Sequence, residues 1–403
     1  MLEMNYLRAI FSWDTIALIA MLLFIIFTCT KRITGNDGEN ETKDQQEKSS
    51  VYGSDDRASM LADKLLVALS DGSDKRIHMN VSECLDRLDE LVVHCNRMQD
   101  HKNTKKRNFD NRKYEQECEK KYMIYQEIVR LIFVKYSTND EICISALTLL
   151  TIIADEEKVL ERILYEADIY GINLPILVAK ESLKRIRFLP DRELCYNNDN
   201  DEVEENEDWY AAELQKHTAL FLGSLCNSCN SNDMATLVVD EGGLELVLEA
   251  ASFFRMHMST LHWLMWALFT ICYDNMNNKS HFIRLGGITK TCDVLKGIYE
   301  IVESSQDDVV PEKMMQTRRH ATALLYDVLR NTEPTVNNSH KMERLRVMAV
   351  NAGWHDVLLT SIKLCNDDSE AVDVYEMSRE MLLGTGYSGV IPKSFHKIHW
   401  AQK

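Results

Sequence analysis

The sequence predicts an all-α protein in which helical units stack on one another. Two observations lead to this fold class. Hydrophobic residues make up 45% of the 403 residues and there are only five prolines, a balance typical of a globular, helix-rich chain. In addition, apolar helical segments that end in a polar turn and a glycine-containing break recur along the chain, which indicates an internal repeat.

The first element is an uncharged apolar stretch, TIALIAMLLFIIFTCT, from Thr15 to Thr30. It is shorter than most membrane-spanning helices and close in length to the core of a signal peptide. Lys31 and Arg32 follow directly, and the positive-inside rule would keep the rest of the chain in the cytosol behind an uncleaved anchor. Residues 1–30 are therefore predicted to be a signal peptide or a signal anchor, and both alternatives stay open.

The next two elements are a tether and a helical cap. Residues 31–57 are polar and charged without apolar periodicity, so they cannot bury enough surface to offset the entropy of ordering, and we expect a disordered polar tether. Residues 58–136 are predicted to form an N-terminal helical cap. Its helices are expected at Val81–Cys95 and Tyr114–Lys135, with the basic stretch His101–Lys113 as a solvated loop between them.

The repeat occupies residues 137–383. Glycine breaks at Gly171, Gly243, Gly287 and Gly353 each separate two apolar helical segments, and the middle spacing is 44 residues. That period fits armadillo or HEAT units, whose apolar stripes are buried only when neighbouring units stack. The predicted fold is therefore an armadillo/HEAT-like right-handed α-solenoid, in which glycine permits sharp turns between helices.

Two polar segments interrupt or follow the repeat. The stretch 197–208 carries seven acidic residues and no apolar face, so we expect an acidic insert. Residues 384–403 are predicted to be a C-terminal tail. This tail begins with GTGYSG, but a dinucleotide-binding glycine motif requires a preceding strand and a following helix, which the pattern here does not predict.

One helix of each unit is a candidate for the concave surface. The segments ISALTLLTII, HTALFLGSLC, LMWALFTIC and HATALLYDVL share an apolar pattern that places Thr151, Ser224, Thr270 and Asp327 at equivalent positions. In armadillo arrays that grip an extended peptide, this position is usually an asparagine beside a tryptophan. Only Trp266 resembles that ladder, so the sequence favours a folded partner in the concavity.

Composition excludes several function classes. The net charge of −17 and a pI of about 5.2 argue against nucleic-acid binding, which requires a basic surface, and suit a basic protein partner. The chain has no P-loop, no HExxH and no GxSxG motif. We therefore expect no enzyme activity, no catalytic residues, no cofactor and no metal.

The cysteines and the sequons bear on the compartment. Cys226 and Cys229 form a C-x-x-C pair that lacks the two further ligands of a zinc site; they are either packing residues of a helix or an oxidisable luminal pair. The sequence also contains N-x-S/T sequons, which would be N-glycosylated if the chain enters the lumen. These possible sites are Asn40, Asn80, Asn278 and Asn337.

Several phrases of the repeat together resemble one family. They are LDRLDELVVHC (Leu85–Cys95), LFLGSLCN (Leu220–Asn227), EGGLELVLEA (Glu241–Ala250), WALFTICYDN (Trp266–Asn275), HFIRLGGI (His281–Ile288), ALLYDVL (Ala323–Leu329) and NAGWHDVLL (Asn351–Leu359). They are similar to the Sil-type nucleotide exchange factors of the endoplasmic reticulum. These factors are armadillo-like relatives of the cytosolic heat-shock-chaperone-binding proteins.

The resemblance implies a monomeric co-chaperone in the lumen of the endoplasmic reticulum. Such a factor binds the nucleotide-binding domain of the heat-shock chaperone BiP and promotes ADP release, in support of protein folding and translocation. Its concave face would contact the partner through Ser224, Thr270, Tyr273, Asp274, Asp327 and Trp266. The alternative is a membrane-anchored cytosolic armadillo-repeat scaffold for protein–protein interaction.

Overall fold

All regular secondary structure in the described part of the chain is α-helical, which confirms the all-α class. The structure is a computed structural model, and it describes residues 60, 62–67, 69, 81–105, 112–154, 159–160, 163, 172–187, 207–227, 231–304, 312–330, 347–364, 372–384 and 387–389. The predicted signal or anchor segment, the tether and residues 197–206 of the acidic insert lie outside these ranges. Among the described helices, none combines the length and apolar character needed to cross a bilayer.

The helices are numbered here in chain order. Their bounds are α1 Val81–Lys105, α2 Arg112–Lys135, α3 Asp140–Ile153, α4 Asn173–Arg187, α5 Glu207–Cys226, α6 Ser231–Asp240, α7 Gly243–Phe253, α8 Met258–Cys272, α9 Met276–Arg284, α10 Gly287–Ser304, α11 Glu312–Arg330, α12 Trp354–Leu364 and α13 Val372–Gly384. A further short helix covers residues 347–351.

The helices pack in two rows. In the first row α3, α5, α8, α11 and α13 contact one another in that order, and α1 packs against α3. In the second row α2, α4, α7, α10 and α12 contact one another in the same way. Each second-row helix from α4 to α12 also contacts the first-row helix that follows it in the chain, so the two rows share one core.

Large apolar side chains fill the space between the rows. Phe221 of α5, Phe282 of α9 and Trp354 of α12 are each fully buried, and Phe254 is 1% exposed at the end of α7. Removing a side chain of this size from water stabilises the fold by about 1.5–3 kcal/mol. The core therefore depends on contacts between successive helices rather than on any one helix.

A three-helix pattern recurs in the described C-terminal half. A short helix, a glycine turn, a second-row helix and a first-row helix follow one another in 231–272, in 276–330 and in 347–384. Gly242, Gly286 and Gly353 occupy the turns with φ of 78°, 74° and 77°. At each turn the glycine N–H donates to the carbonyl three residues earlier at 2.9–3.1 Å, a geometry that side-chain-bearing residues rarely adopt.

In each Gly-Gly pair the first glycine makes the turn, whereas the sequence analysis assigned the turn to the second. The turn requires left-handed backbone at Gly242 and Gly286, one residue before the predicted breaks at Gly243 and Gly287. At Gly287 a Cβ atom would lie 2.3 Å from the Phe282 ring, so this position is limited by packing. The first predicted break, Gly171, lies outside the described residues.

Three predicted boundaries also move. Helix α1 continues to Lys105 and α2 begins at Arg112, so both ends of the predicted loop His101–Lys113 are helical. Helix α5 begins at Glu207, which places the last two residues of the predicted acidic insert in a helix. The predicted tail starts within α13, which ends at Gly384.

The glycine turns yield a prediction with a built-in control. Gly286→Ala should lower the free energy of unfolding by about 1–2 kcal/mol, because alanine resists left-handed backbone although no atom lies within 4 Å of its Cβ. Gly297→Ala, inside α10 and equally unobstructed, should raise it by up to about 1 kcal/mol, since alanine is the better helix former. Urea unfolding measures both changes. Equal effects of the two substitutions would contradict the role assigned to Gly286.

Candidate partner-binding face

Helix α8 and the turn that follows it carry partly exposed aromatic side chains. Trp263, Phe269 and Tyr273 are each half-buried, so part of every ring reaches solvent. The rings support one another edge-on or tilted, with centroids 5.6 Å apart for Trp263 and Trp266 and 5.4 Å apart for Phe269 and Tyr273. Together with half-buried Tyr326 on α11, Trp263 and Phe269 of α8 and Tyr273 of the following turn define what we call the aromatic stripe.

Trp266 forms the wall beneath this stripe. Its indole is 6% exposed and lies over Gly223 of α5, where an added Cβ atom would meet the ring at 2.4 Å. Gly223 is therefore the residue that lets α5 and α8 approach with a tryptophan between them. Trp266 was predicted as a contact residue, but most of its surface is buried between helices.

The small polar residues at the equivalent helical positions are partly turned inward. Thr270 is 9% exposed, and its hydroxyl donates to the carbonyls of Trp266 and Ala267 at 3.2 and 3.0 Å. The Thr151 hydroxyl likewise donates within its own helix, to Leu147 at 2.8 Å. Ser224 is half-buried. Of these three, Ser224 and Thr151 retain surface for a partner, whereas Thr270 is largely satisfied inside the helix.

Asp327 joins α11 to α9 through a buried ion pair. Its Oδ2 lies 2.8 Å from Nζ of Lys279, and the two side chains are 12% and 2% exposed. The ammonium makes no aligned hydrogen bond among the described residues, so the attraction is mainly one between charges. Asp327 was predicted to contact a partner, whereas here its carboxylate neutralises a lysine of the neighbouring unit.

The turn after α8 brings Tyr273 and Asp274 to the edge of the stripe. Asp274 has φ of 48°, the one positive φ among the described non-glycine residues. It is exposed, and aspartate tolerates this backbone better than most residues. The following Asn275 caps α9 by accepting from the N–H groups of Asn277 and Asn278 at 3.1 Å each.

Asn278 is a structural residue, which contradicts its prediction as a glycosylation site. It is 1% exposed, and its Nδ2 donates to the carbonyls of Ala235 and Ile271 at 3.0 and 2.8 Å. Nδ2 is the atom that a glycan would occupy, so the folded chain leaves no room for one. Asn40, Asn80 and Asn337 lie outside the described residues.

Cys226 is buried at the end of α5 as a free thiol. Burial raises its pKa far above the usual range, with a smaller contribution from Cys272 of α8. A thiol held in its protonated form is a poor nucleophile for disulfide exchange. This environment disfavours the predicted redox role of Cys226, and Cys229 lies outside the described residues.

Buried and half-buried histidines lie along the first row and were not predicted as a group. His217 Nδ1 lies 3.2 Å from the Thr148 hydroxyl, which already donates to Ile144. His257 Nδ1 lies 2.6 Å from the Thr260 hydroxyl, which donates to Ala212. Each contact is a hydrogen bond between Nδ1 of the imidazole and the hydroxyl, in which the tautomer decides which group donates.

Burial keeps these imidazoles neutral. It lowers the pKa of His217 to about 3, with Lys216 adding to the effect. It lowers the pKa of His257 to about 4, with contributions from Lys216 and Lys313, and that of His262 to about 4, with a contribution from Lys313. Burial also lowers the pKa of His320, with a contribution from His262, whose ring centroid lies 5.0 Å away.

Of the predicted contact residues, Ser224, Tyr273 and Asp274 thus keep exposed surface, whereas Trp266, Thr270 and Asp327 are mostly buried. Among the described residues no cluster of histidine, cysteine and carboxylate side chains could hold a metal ion. Comparison with known family models, curated proteins and solved structures finds no match for this chain. The face presents partly exposed aromatic rings, a few hydroxyls and the exposed Asp274 carboxylate.

The buried ion pair can be tested by substitution. Lys279→Met should lower the free energy of unfolding by about 3–5 kcal/mol, because the Asp327 carboxylate would remain buried without its counterion. The double variant Lys279→Met, Asp327→Leu should recover much of that loss. Lys184→Met, at an exposed pair with Glu181, should change it by less than about 0.5 kcal/mol. Denaturant unfolding measures all three, and a full loss in the double variant would contradict the pairing.

The histidines predict acid sensitivity. Above about pH 7.5 they are neutral in both states, whereas below the ordinary pKa of 6.5 only the unfolded chain takes up protons. The free energy of unfolding should therefore fall between pH 6.5 and about pH 4, by up to about 1.4 kcal/mol per pH unit for each imidazole. Urea unfolding at pH 7.5, 6.0 and 5.0 tests this. His217→Asn should reduce the slope, and a slope unchanged by that substitution would contradict its neutral state.

Proposed function

We propose that this chain is an armadillo-like α-solenoid that binds a folded protein on its first-row face and acts as a nucleotide exchange factor. The proposed partner is the nucleotide-binding domain of a BiP-type heat-shock chaperone in the lumen of the endoplasmic reticulum. The observation that carries the proposal is the aromatic stripe on α8 and α11, in the middle of a row of packed helices. The family resemblance of the repeat phrases supports the choice of partner.

The first-row face suits a folded partner better than an extended peptide. Peptide-gripping arrays present asparagine side chains to the peptide backbone, but the equivalent positions here hold Ser224, Thr270 and Asp327, of which the last two are buried. Half-buried aromatic side chains, by contrast, are the residues that most often dominate the energy of protein–protein interfaces. Trp263, Phe269, Tyr273 and Tyr326 provide such anchors.

The support beneath the stripe favours a face that keeps its shape on binding. Trp266 is clamped over Gly223, and Thr270 is bonded to its own helix. A preorganised surface loses little side-chain entropy when a partner arrives. This property matters for an exchange factor, because the factor must impose one conformation on its partner rather than adapt to several.

The proposed mechanism requires no catalytic side chain. A protein that binds the open form of an ATPase domain more tightly than the closed form shifts the population towards the open form. The same coupling free energy lowers the affinity for ADP, because linkage between two ligands is reciprocal. ADP then leaves, ATP binds, and the client protein of the chaperone is released.

A membrane-anchored cytosolic scaffold is the second candidate. Two observations favour it. The Asn278 sequon is buried, and six cysteines are free thiols, which is usual in a reducing compartment: Cys84, Cys95, Cys143, Cys226, Cys272 and Cys292. Expression in secretory-competent cells followed by glycosidase treatment separates the two candidates. A mobility shift that depends on Asn40, Asn80 or Asn337 would exclude the cytosolic location.

The exchange activity predicts faster loss of labelled ADP from a purified BiP-type chaperone. At saturating concentrations of this protein, the affinity of the chaperone for ADP should fall by about 5–150-fold, the usual range of coupling between two sites. Tyr273→Ala should weaken the effect because it removes an anchor of the stripe.

Leu177→Ala is the matched control, since Leu177 is 52% exposed on α4 in the second row. It should behave like the unmodified protein. Unchanged ADP release with the unmodified protein would reject the proposed function. Equal losses in the two variants would reject the assignment of the face.

A further inference from the structure

The chain turns back towards its own helices after α13. Helix α13 ends at Gly384, and the Tyr387 N–H donates to the carbonyl of Leu382 at 3.0 Å. A Cβ atom at Gly389 would lie 2.3 Å from the Tyr387 hydroxyl, so the backbone can pass over this ring only because the residue is a glycine. The last described residues therefore hold a defined position on the surface.

Tyr387 fixes the point at which the chain leaves the described part of the structure. Its ring packs edge-on against the His355 ring, with centroids 5.2 Å apart, and it contacts the hydrophobic core. His355 lies in the first turn of α12, which begins at Trp354. Residues 390–403, which lie outside the described ranges, therefore follow a contact with the N-terminal end of α12.

The short helix before α12 exposes apolar side chains. Of residues 347–350 only Ala349 is buried, whereas the exposed fractions are 49% for Val347, 41% for Met348 and 42% for Val350. We call these three residues the apolar patch. The exposed side chains described for α6, the equivalent helix of an earlier unit, are polar: Asn232, Asp233, Thr236 and Asp240.

The apolar patch calls for a cover for two reasons. Adjacent exposed apolar side chains on a soluble domain mark a surface that binds something. A helix of five residues is also too short to be stable through its own hydrogen bonds, so it depends on contacts with other parts of a protein.

The apolar patch and the point of exit are close in space. The Gly353 N–H donates to the Val350 carbonyl at 3.0 Å, and the Cα atoms across such a turn lie within about 7 Å of each other. His355 is two residues further along, which adds at most about 7 Å. The fourteen residues 390–403 can extend for up to about 46 Å, so they reach the patch with length to spare.

Residues 390–403 have the composition of a segment that docks on an apolar surface. Their sequence, VIPKSFHKIHWAQK, contains five large apolar side chains: Val390, Ile391, Phe395, Ile398 and Trp400. The stretch 331–346, which precedes the short helix and also lies outside the described ranges, contains three in sixteen residues. Burial of apolar surface drives such contacts, so the composition favours 390–403 as the cover.

Charge favours the same segment. Residues 390–403 contain three lysines and no carboxylate side chain, in a chain whose net charge is −17. Asp356, next to His355 in the chain, and Glu380 of α13 are both exposed, and Glu380 accepts only from the neutral Tyr326 hydroxyl among its described contacts. Opposite charges would orient a basic segment on this end of the molecule.

We propose that residues 390–403 dock on the apolar patch of the same chain. Their apolar side chains cover Val347, Met348 and Val350, and their lysines lie towards Asp356. The docked segment stabilises the short helix and withholds its apolar surface from partners, which leaves the first-row face as the binding surface. This inference does not rest on the proposed function.

The first experiment places a photocrosslinker in the docking segment of the full-length chain. Trp400→p-benzoylphenylalanine should form adducts with residues 347–351 on irradiation, since the group reacts with the atoms that it contacts. Mixing isotope-labelled with unlabelled chains shows by mass spectrometry whether the two ends of an adduct come from one chain. Adducts between labelled and unlabelled chains would assign the patch to a second copy and overturn the proposal. Adducts confined to other parts of the chain, or none, would also overturn it.

The second experiment measures hydrogen exchange at the amides of Ala352 and Gly353, each of which donates to a carbonyl of the short helix at 3.0 Å. The double variant Phe395→Asp, Trp400→Asp should speed up exchange at these amides by about tenfold or more, because the short helix loses its cover. Unchanged exchange in this variant would contradict the docking.

A matched control places the same added charge on the same segment. The double variant Ser394→Asp, Gln402→Asp should change exchange at the two amides by less than about twofold, since no apolar contact is removed. Exchange in α8 should stay unchanged in both variants. Equal acceleration in the two variants, or acceleration in α8 as large as that at Ala352 and Gly353, would overturn a local cover formed by apolar side chains.

Discussion

Packing between successive first-row helices is the interaction on which the rest of the structure depends. Each unit has an apolar surface that its own helices cannot cover, so the next unit must cover it. Helix α8 is the clearest case, because it is held between α5 on one side and α11 on the other. The close approach of α5 and α8 follows from a single glycine, Gly223, that accommodates the Trp266 ring.

Polar groups set the relative positions of the units more narrowly than apolar packing does. Asn278 ties α9 to the end of α8 and to α6, and Lys279 ties the same short helix to α11. These groups tolerate few alternatives, since a shifted neighbour would leave a charge or an amide buried without a partner. The short helix α9 thus fixes the positions of α6, α8 and α11 relative to one another.

Much of the fold could be predicted from local patterns. The apolar periodicity predicted the first-row segments, and the Gly-Gly pairs marked the turns at Gly242 and Gly286 to within one residue. The α-solenoid architecture itself stays a prediction. The acidic insert, apart from its helical end, and the N-terminal segment fall outside the described residues.

The candidate site was less accessible to prediction for a geometric reason. Successive residues on a helix point about 100° apart, so a correct register still leaves open which neighbouring residue is buried. This is why Thr270 and Asp327 are inward while Phe269 and Tyr326 reach solvent. The Lys279–Asp327 pair joins residues that are far apart in the sequence, so a local sequence pattern cannot predict it. The equivalent positions of His217 and His320 in their segments were the one available signal for the buried imidazoles.

The row arrangement has a consequence for motion. Helix α13 is the last described helix of the first row and packs mainly against α11 and α12, whereas α8 is enclosed on both sides. Detaching a terminal helix disrupts fewer contacts than detaching a central one, so backbone amides should exchange with solvent fastest at the ends of the row and slowest in α8. Trp263 and Phe269 therefore lie on the helix expected to exchange most slowly among those described, and transient opening of the outer units leaves them undisturbed.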